Sequence, residues 1–300
     1  MEGNDALQAR ILQELTSQQG LRFDEKRSYA KIATKLGVGE ESVRLRVKRA
    51  TQTGLIAGWE LVLNPVLIGR RSASVALEVD DARRKPAIIA QLRLLEGVNF
   101  IFDYDERSMR VAIYYRDSGE LSRVVSLLGL LTGCEDPIHW DEHFPPCSLS
   151  LKRTDWRIVS SLRRDPRRNV GDVARDVGVS TRTVRRRLTA MIEGGAFNLL
   201  PLGDVKRSAG LTYQFFLRLE SSKKRKVDEA ARAKLSSLVF ANVWSGPYSG
   251  YSVFCRNIAE AEATRDWFSA QDGVTGVEMH LMREIIHVRS WLDEEIERRI

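Results

Sequence analysis

Apolar positions along the chain follow two periods, and the alternation between them predicts its elements. ALQARILQEL from Ala6 and DWRIVSSL from Asp155 repeat their apolar residues every three or four positions, the spacing of an amphipathic helix. SASVALEV from Ser72 alternates instead, as a strand with one buried face does. After it the pattern predicts a helix in PAIIAQLRLLEG, a strand pair in NFIFDYD and MRVAIYYR, a helix in GELSRVVSLLGLL and a strand in PIHWDEHF. The same order returns in LTYQFFLRLE, DEAARAKLSSL, VFANVWS, GYSVFCRN, AEAEATRDWFSAQ and VEMHLMREIIHV, followed by a short charged helix, SWLDEEIERRI. Strand, helix, two strands, helix, strand is the βαββαβ order of a ferredoxin-like unit, an antiparallel sheet with two helices on one face.

The repetition extends upstream. IATKLGVGEESVRLRVKRATQTGLI, from Ile32 to Ile56, and VARDVGVSTRTVRRRLTAMIEGGAF, from Val173 to Phe197, align residue by residue at an offset of 141. Ala33, Gly37, Val38, Val43, Arg44, Arg46 and Gly54 thereby meet Ala174, Gly178, Val179, Val184, Arg185, Arg187 and Gly195. The leading amphipathic stretches have a larger offset, which an insertion in a loop around Leu21–Arg27 would absorb at little cost.

Each repeated segment has the parts of a helix-turn-helix: a short helix, a turn with glycine at Gly37 or Gly178, and a second helix with one apolar face. Ser180 and Thr181 are candidate N-caps of the second copy's recognition helix, whereas the first copy begins with Glu40 and Glu41, favoured there by the helix dipole. At 100° per residue, Val43, Val47 and Ala50 share a face in the first copy, and Val184, Leu188 and Met191 in the second. Those faces are expected to be core. The opposite faces present Arg44, Leu45, Lys48 and Arg49 in one copy and Arg182, Arg185, Arg186 and Thr189 in the other. Arginine can give two hydrogen bonds to guanine in the major groove, so these residues are candidate readers of double-stranded DNA. Arg46 and Arg187, at the edge between the faces, are placed for phosphate contacts.

Charge supports this. The 300-residue chain carries +7, yet Lys152–Arg187 alone holds twelve basic and four acidic residues, a net of +8. A basic excess confined to one helix-turn-helix segment fits a polyanionic partner. Other functions lack their signals. Cys134, Cys147 and Cys255 form no CxxC pair, which predicts idle or buried thiols. No metal-ligand spacing, cofactor fingerprint, P-loop or nucleophile elbow occurs, so no metal, cofactor or catalytic residue is expected. The absence of a long apolar run or a signal-like start predicts a cytoplasmic protein without a membrane partner. Trp59, Trp140, Trp156 and Trp244 read as core or interface aromatics.

Val43, Arg46, Val47, Arg49, Gly54 and Ile56, continuing through GWELVLNPVLIG, resemble the Lrp/AsnC family of prokaryotic regulators over about residues 5–80, and again over 153–197. The resemblance implies an α+β chain in which winged helix-turn-helix domains at 1–64 and 149–208 alternate with ferredoxin-like sensing domains at 65–148 and 209–300. Family members carry one such unit per chain and pair through the sensing domains. Two units in one chain imply an intramolecular pseudo-dimer reading two half-sites, with further homo-oligomer formation open. The family binds small effectors such as amino acids near a glycine-containing turn between the second and third strands. Here that turn is DYDERSM in the first half, where Asp103 and Asp105 read as solvated turn residues, and SGPYSGY in the second, which points to Gly246, Tyr248 and Gly250. Siroheme decarboxylases resemble the same family; the features favouring that alternative are His139, His143, His280 and His287 on the two final strands.

Overall fold

The computed structural model describes residues 7–8, 10–11, 14–15, 25–53, 56–202, 210–235, 238–243 and 246–300. Gly54, Trp244, parts of the leading helix from Ala6 and most of the insertion at Leu21–Arg27 lie outside the described residues. In the first half α1 (Glu25–Leu36), α2 (Glu40–Gln52) and β1 (Gly58–Leu63) precede β2 (Arg71–Glu78), α3 (Lys85–Leu92), β3 (Val98–Tyr104), β4 (Ser108–Tyr115), α4 (Ser118–Thr132) and β5 (Ile138–Asp141). The second half supplies α5 (Arg153–Arg164), α6 (Val170–Val177), α7 (Thr181–Glu193), β6 (Phe197–Leu202) and β7 (Leu211–Leu219). It continues through α8 (Lys224–Lys234), β8 (Leu238–Val243), β9 (Tyr248–Cys255), α9 (Ile258–Ser269), β10 (Val274–His287) and α10 (Ser290–Glu297). The chain divides into two compact units, one of Met1–Ile68, Phe144–Ser208 and Leu292–Ile300, the other of Gly69–His143 and Ala209–Trp291.

In the first unit the helix periods bury the residues that the pattern selected. Val43, Val47 and Ala50 of α2 close on Ile11, Leu15, Tyr29 and Ile32, while Val184, Leu188 and Met191 of α7 are buried in the second copy. Burying side chains of this size stabilises by about 1.5–3 kcal/mol each, so these faces cannot turn outward. The two copies are joined by β1 and β6, which pair antiparallel from Gly58 with Leu202 to Leu63 with Phe197. Beside this ribbon Asn64, 1% exposed, gives its amide to the carbonyls of Pro145 and Gly195, both at 2.9 Å.

The second unit is one antiparallel sheet in the order β5-β2-β4-β3-β10-β7-β9-β8. Each half contributes four strands in the same internal order, and the halves meet where β3 pairs with β10. This junction explains the length of β10. Its 14 residues serve two partners, Val274–Leu281 pairing with β7 and Met282–His287 with β3, with a bulge between Met282 and Glu284. Alternation then sorts the faces. Tyr213, Phe215, Leu217 and Leu219 of β7 pack with Val227 and Ala231 of α8 and with Ala261 and Phe268 of α9. The intervening Gln214, Phe216 and Arg218 point to the opposite face.

A lysine at the start of α3 and another at the start of α8 tie these helices to the sheet, the first buried and the second half-buried. Lys85, 3% exposed, donates to the carbonyls of Tyr104 and Ser108, both at 2.7 Å, and lies 2.6 Å from Asp103. Lys224 donates to the carbonyl of Tyr248 and, at 2.6 Å, to Ser249 Oγ. Asp103 is therefore not the solvated turn residue that its sequence suggested; burying Lys85 requires a compensating charge beside it. Asp105 keeps 41% side-chain exposure and faces His280 at 3.6 Å.

Candidate nucleic-acid interface

The second helix-turn-helix is built as a rigid presenter. Gly178 ends α6 in the left-handed region, φ +71°, which a residue with a Cβ adopts at a cost. Two residues on, Ser180 Oγ accepts from the Thr183 backbone N–H at 3.1 Å and caps α7. Further along the helix, Arg187 Nη1 donates to Asp155 Oδ1 at 2.8 Å; Asp155 Oδ2 in turn accepts from the Lys152 backbone N–H, also at 2.8 Å. The recognition helix is thus tied to the N-terminus of α5. With that face fixed, Arg182, Arg185, Arg186 and Thr189 are exposed, and no carboxylate among the described residues pairs with these three arginines.

Part of the remaining local basic excess is paired within the fold. Arg163, 5% exposed, meets Asp293 and the Glu60 carboxylate and donates to the Leu61 carbonyl at 3.1 Å. Arg168 pairs with Asp176 at 2.5 Å, Arg175 with Asp172 at 2.8 Å, and Arg167 lies 4.6 Å over the Trp59 ring. Sequence reasoning missed these roles because a charge count carries no partner information. What stays exposed is Lys152, Arg153 and Arg157 at the start of α5 and the outward guanidinium groups of α7.

The first copy is arranged differently. Gly37, φ +68°, makes the same turn, but the N-cap of α2 is Gly39, with no side chain to accept a hydrogen bond. Arg44 is held along its own helix by Glu40 at 2.7 Å and Glu41 at 3.5 Å. Leu45 is 57% exposed, Lys48 and Arg49 are exposed, and Arg46 is half-buried.

The residues singled out at the second glycine turn separate. Gly246 is exposed with φ +69°, and Gly250 is buried within β9 opposite Phe216 of β7. Tyr248, partly buried, lines a cavity of about 460 Å3 together with Tyr104, Trp140, Phe216 and His280. His139 on β5 and His143 just after it are exposed, and His287 stands edge-on to Phe100 at 4.7 Å. The histidines are not gathered into one site. Among the described residues no group of three or more His, Cys, Asp or Glu side chains could hold a metal ion. Burial pushes the Cys255 thiol up to about 12, so it stays protonated at neutral pH, and no disulfide forms among the described cysteines. No described helix is long and apolar enough to cross a membrane.

Comparison with known proteins picks out the same segment. Residues 151–192, from the start of α5 to the end of α7, match the AsnC-type helix-turn-helix domain. The transcriptional regulator LrpA of Pyrococcus horikoshii is 29% identical over 108 residues, covering 35% of this chain and 76% of that protein. An uncharacterised helix-turn-helix regulator of Pyrococcus furiosus is 39% identical over 61 residues, covering 20% of this chain and 41% of its own. Across nearly the whole length the fold is similar to the siroheme decarboxylase NirDL, with a TM-score of 0.60, 13% identity, and coverage of 97% of this chain and 99% of that one.

Proposed function

We propose that this chain, with its AsnC-type helix-turn-helix and its likeness to LrpA, is a regulator of the Lrp/AsnC kind that reads a specific double-stranded DNA site through two unequal half-sites. Two winged helix-turn-helix domains alternate along the chain with two ferredoxin-like domains, at the boundaries given above, so one polypeptide supplies both readers of a pseudo-dimer. The observation that carries this is the free outer face of α7. Arg182, Arg185 and Arg186 project from a helix whose other face is buried and whose Arg187 is committed to Asp155. A helix of that width enters the major groove, where Arg185 and Arg186 donate to guanine edges while Ser180, Thr181, Arg182 and Thr189 meet bases or phosphates near the helix start. On α2, Lys48, Arg49 and the half-buried Arg46 supply phosphate contacts, and Arg44 and Leu45 a weaker reading face.

Selection of bound fragments from random duplexes, repeated with each recognition helix altered, tests this. Arg185→Ala and Arg186→Ala are each expected to weaken the selected site by about 1–3 kcal/mol and to relax one position of it. Equal losses on selected and random duplexes would remove base reading from α7. A small effector, with an amino acid as the family's example, acts from the cavity lined by Tyr248, beside Gly246 and Gly250.

A second reading is favoured by the whole-length likeness of fold to NirDL, itself also solved in complex with an iron-uroporphyrin III analogue. In it the chain is a tetrapyrrole decarboxylase and His280, on the wall of the cavity, is its candidate acid or base. The outward arginines of α7 have no task in such an enzyme. A saturable change in the absorbance of an added iron porphyrin, lost in His280→Ala, would favour the enzyme over the regulator.

A further inference from the structure

Within the second unit, Trp140 of β5 lies 6.3 Å from Phe216 of β7 and 6.1 Å from Tyr248 of β9, although four strands separate β5 from β7 in the sheet order. The sheet therefore curls, and its helix-free face closes around the cavity of about 460 Å3, a size within the range of ordinary ligand sites. Its wall is a connected set of rings. Tyr104 stands edge-on to Phe216 at 5.7 Å, and His280 stands edge-on to the same ring at 5.7 Å. Tyr104 and Trp140 are buried, 1% and 5% exposed, so their orientation is fixed by packing.

The carboxylates on the wall are Asp136, Glu278 and Glu78, the last met by Arg107 at 3.2 Å, against the guanidinium of Arg218. The hydrogen bond from His280 holds the Glu278 carboxyl below its usual range, so it is ionised at neutral pH. Asp136 is exposed and has no ion pair among the described residues. Arg218 already places its guanidinium 5.8 Å over the Tyr248 ring, an internal instance of a cation on this aromatic wall. Aromatic faces carry negative quadrupole density and attract cations, most strongly where water is excluded. Carboxylates around the opening add to that attraction and repel anions.

We infer that the cavity binds a small organic cation, an ammonium or guanidinium compound about the size of an amino acid, with Trp140 and Tyr248 as its ring partners and Asp136 as its counter-charge. This deepens the effector proposal above by naming the class of ligand, and it is tested without DNA, so that its failure leaves the role of α7 standing. Agmatine, cadaverine and tetramethylammonium are titrated into the whole chain by calorimetry at matched ionic strength, with sodium chloride and sodium glutarate as controls. At least one amine is expected to saturate one site per chain. Trp140→Ala should weaken it tenfold or more, while Trp140→Phe, which keeps a ring, retains most of the affinity; Asp136→Asn, a surface change that leaves the packing intact, should weaken it about threefold. No amine binding above the sodium chloride control, glutarate binding as tightly, or an unchanged constant in Asp136→Asn and Trp140→Ala would each overturn the assignment.

Discussion

Helices α2 and α7 share one sequence pattern and bury equivalent faces, yet their arginines are partnered differently. On α7 the acidic partner of the bundle, Asp155, is spent on Arg187 at the rim and leaves the central arginines free. On α2 the acids stand on the helix itself, and Glu40 and Glu41 neutralise Arg44, the counterpart of Arg185. Where a carboxylate is placed thus decides whether an arginine organises the fold or faces outward. Conserving the core face keeps a helix-turn-helix folded; it does not by itself keep it a reader.

The largest expected difference concerns the rim pair. Arg187 and Asp155 keep only 24% and 9% of their side-chain surface, and removing one partner strands the other where water reaches it poorly. Arg187→Ala is expected to cost about 2–3 kcal/mol in denaturant unfolding, discounted from a fully buried pair for its remaining exposure. Arg44→Ala, breaking pairs on an exposed helix surface, should cost no more than about 0.5 kcal/mol. Equal costs at the two positions would mean that Arg187 is no anchor.

A gain of function on the weaker helix would sharpen the contrast. Glu40→Gln with Glu41→Gln releases Arg44 and removes two negative charges facing the phosphate backbone. DNA affinity at low salt is expected to rise about tenfold, with a steeper dependence on salt concentration, because each added phosphate contact releases condensed counterions. The two changes also remove a favourable dipole contact at the start of α2, so a small loss of stability, about 0.5 kcal/mol, accompanies the gain. An affinity that stays level in a filter-binding salt series would show that α2 does not approach DNA.

Most of this fold was legible because its elements are local. Period and turn chemistry located both βαββαβ series, the turn glycines Gly37 and Gly178 and the cap at Ser180, each readable within a window of a few residues. What escaped were pairings over more than a hundred residues. Nothing around Gly58 names Phe197–Leu202 as its partner strand, nor does anything near Val98 name the end of β10. One signal was present: VEMHLMREIIHV is too long for a single short neighbour, so its second half needed another strand. The fates of the arginines were hidden for the same reason, since Arg163 finds Asp293 and Glu60 only once the chain has folded. The cavity draws its rings from five strands in both halves, and no stretch of sequence contains it.

The smallest expected effects lie at the two N-caps and test whether α7 is the better-formed helix. Ser180→Ala deletes the bond to the Thr183 amide and should cost about 1 kcal/mol. Gly39 has the extended backbone of a capping residue, φ −74° and ψ 146°, and a Cβ built there meets nothing within 4 Å. Gly39→Ser supplies the missing acceptor without strain, so it should stabilise α2 by a few tenths of a kcal/mol, the usual margin of serine over glycine at this position. Hydrogen exchange of the amides at the start of each helix reads both changes: slower at Ser42 and Val43 in Gly39→Ser, faster at Thr183 in Ser180→Ala. Exchange at Ser42 and Val43 that is unmoved by the new serine would mean that α2 is limited by something other than its cap, and the comparison of the two helices would then rest on charge alone.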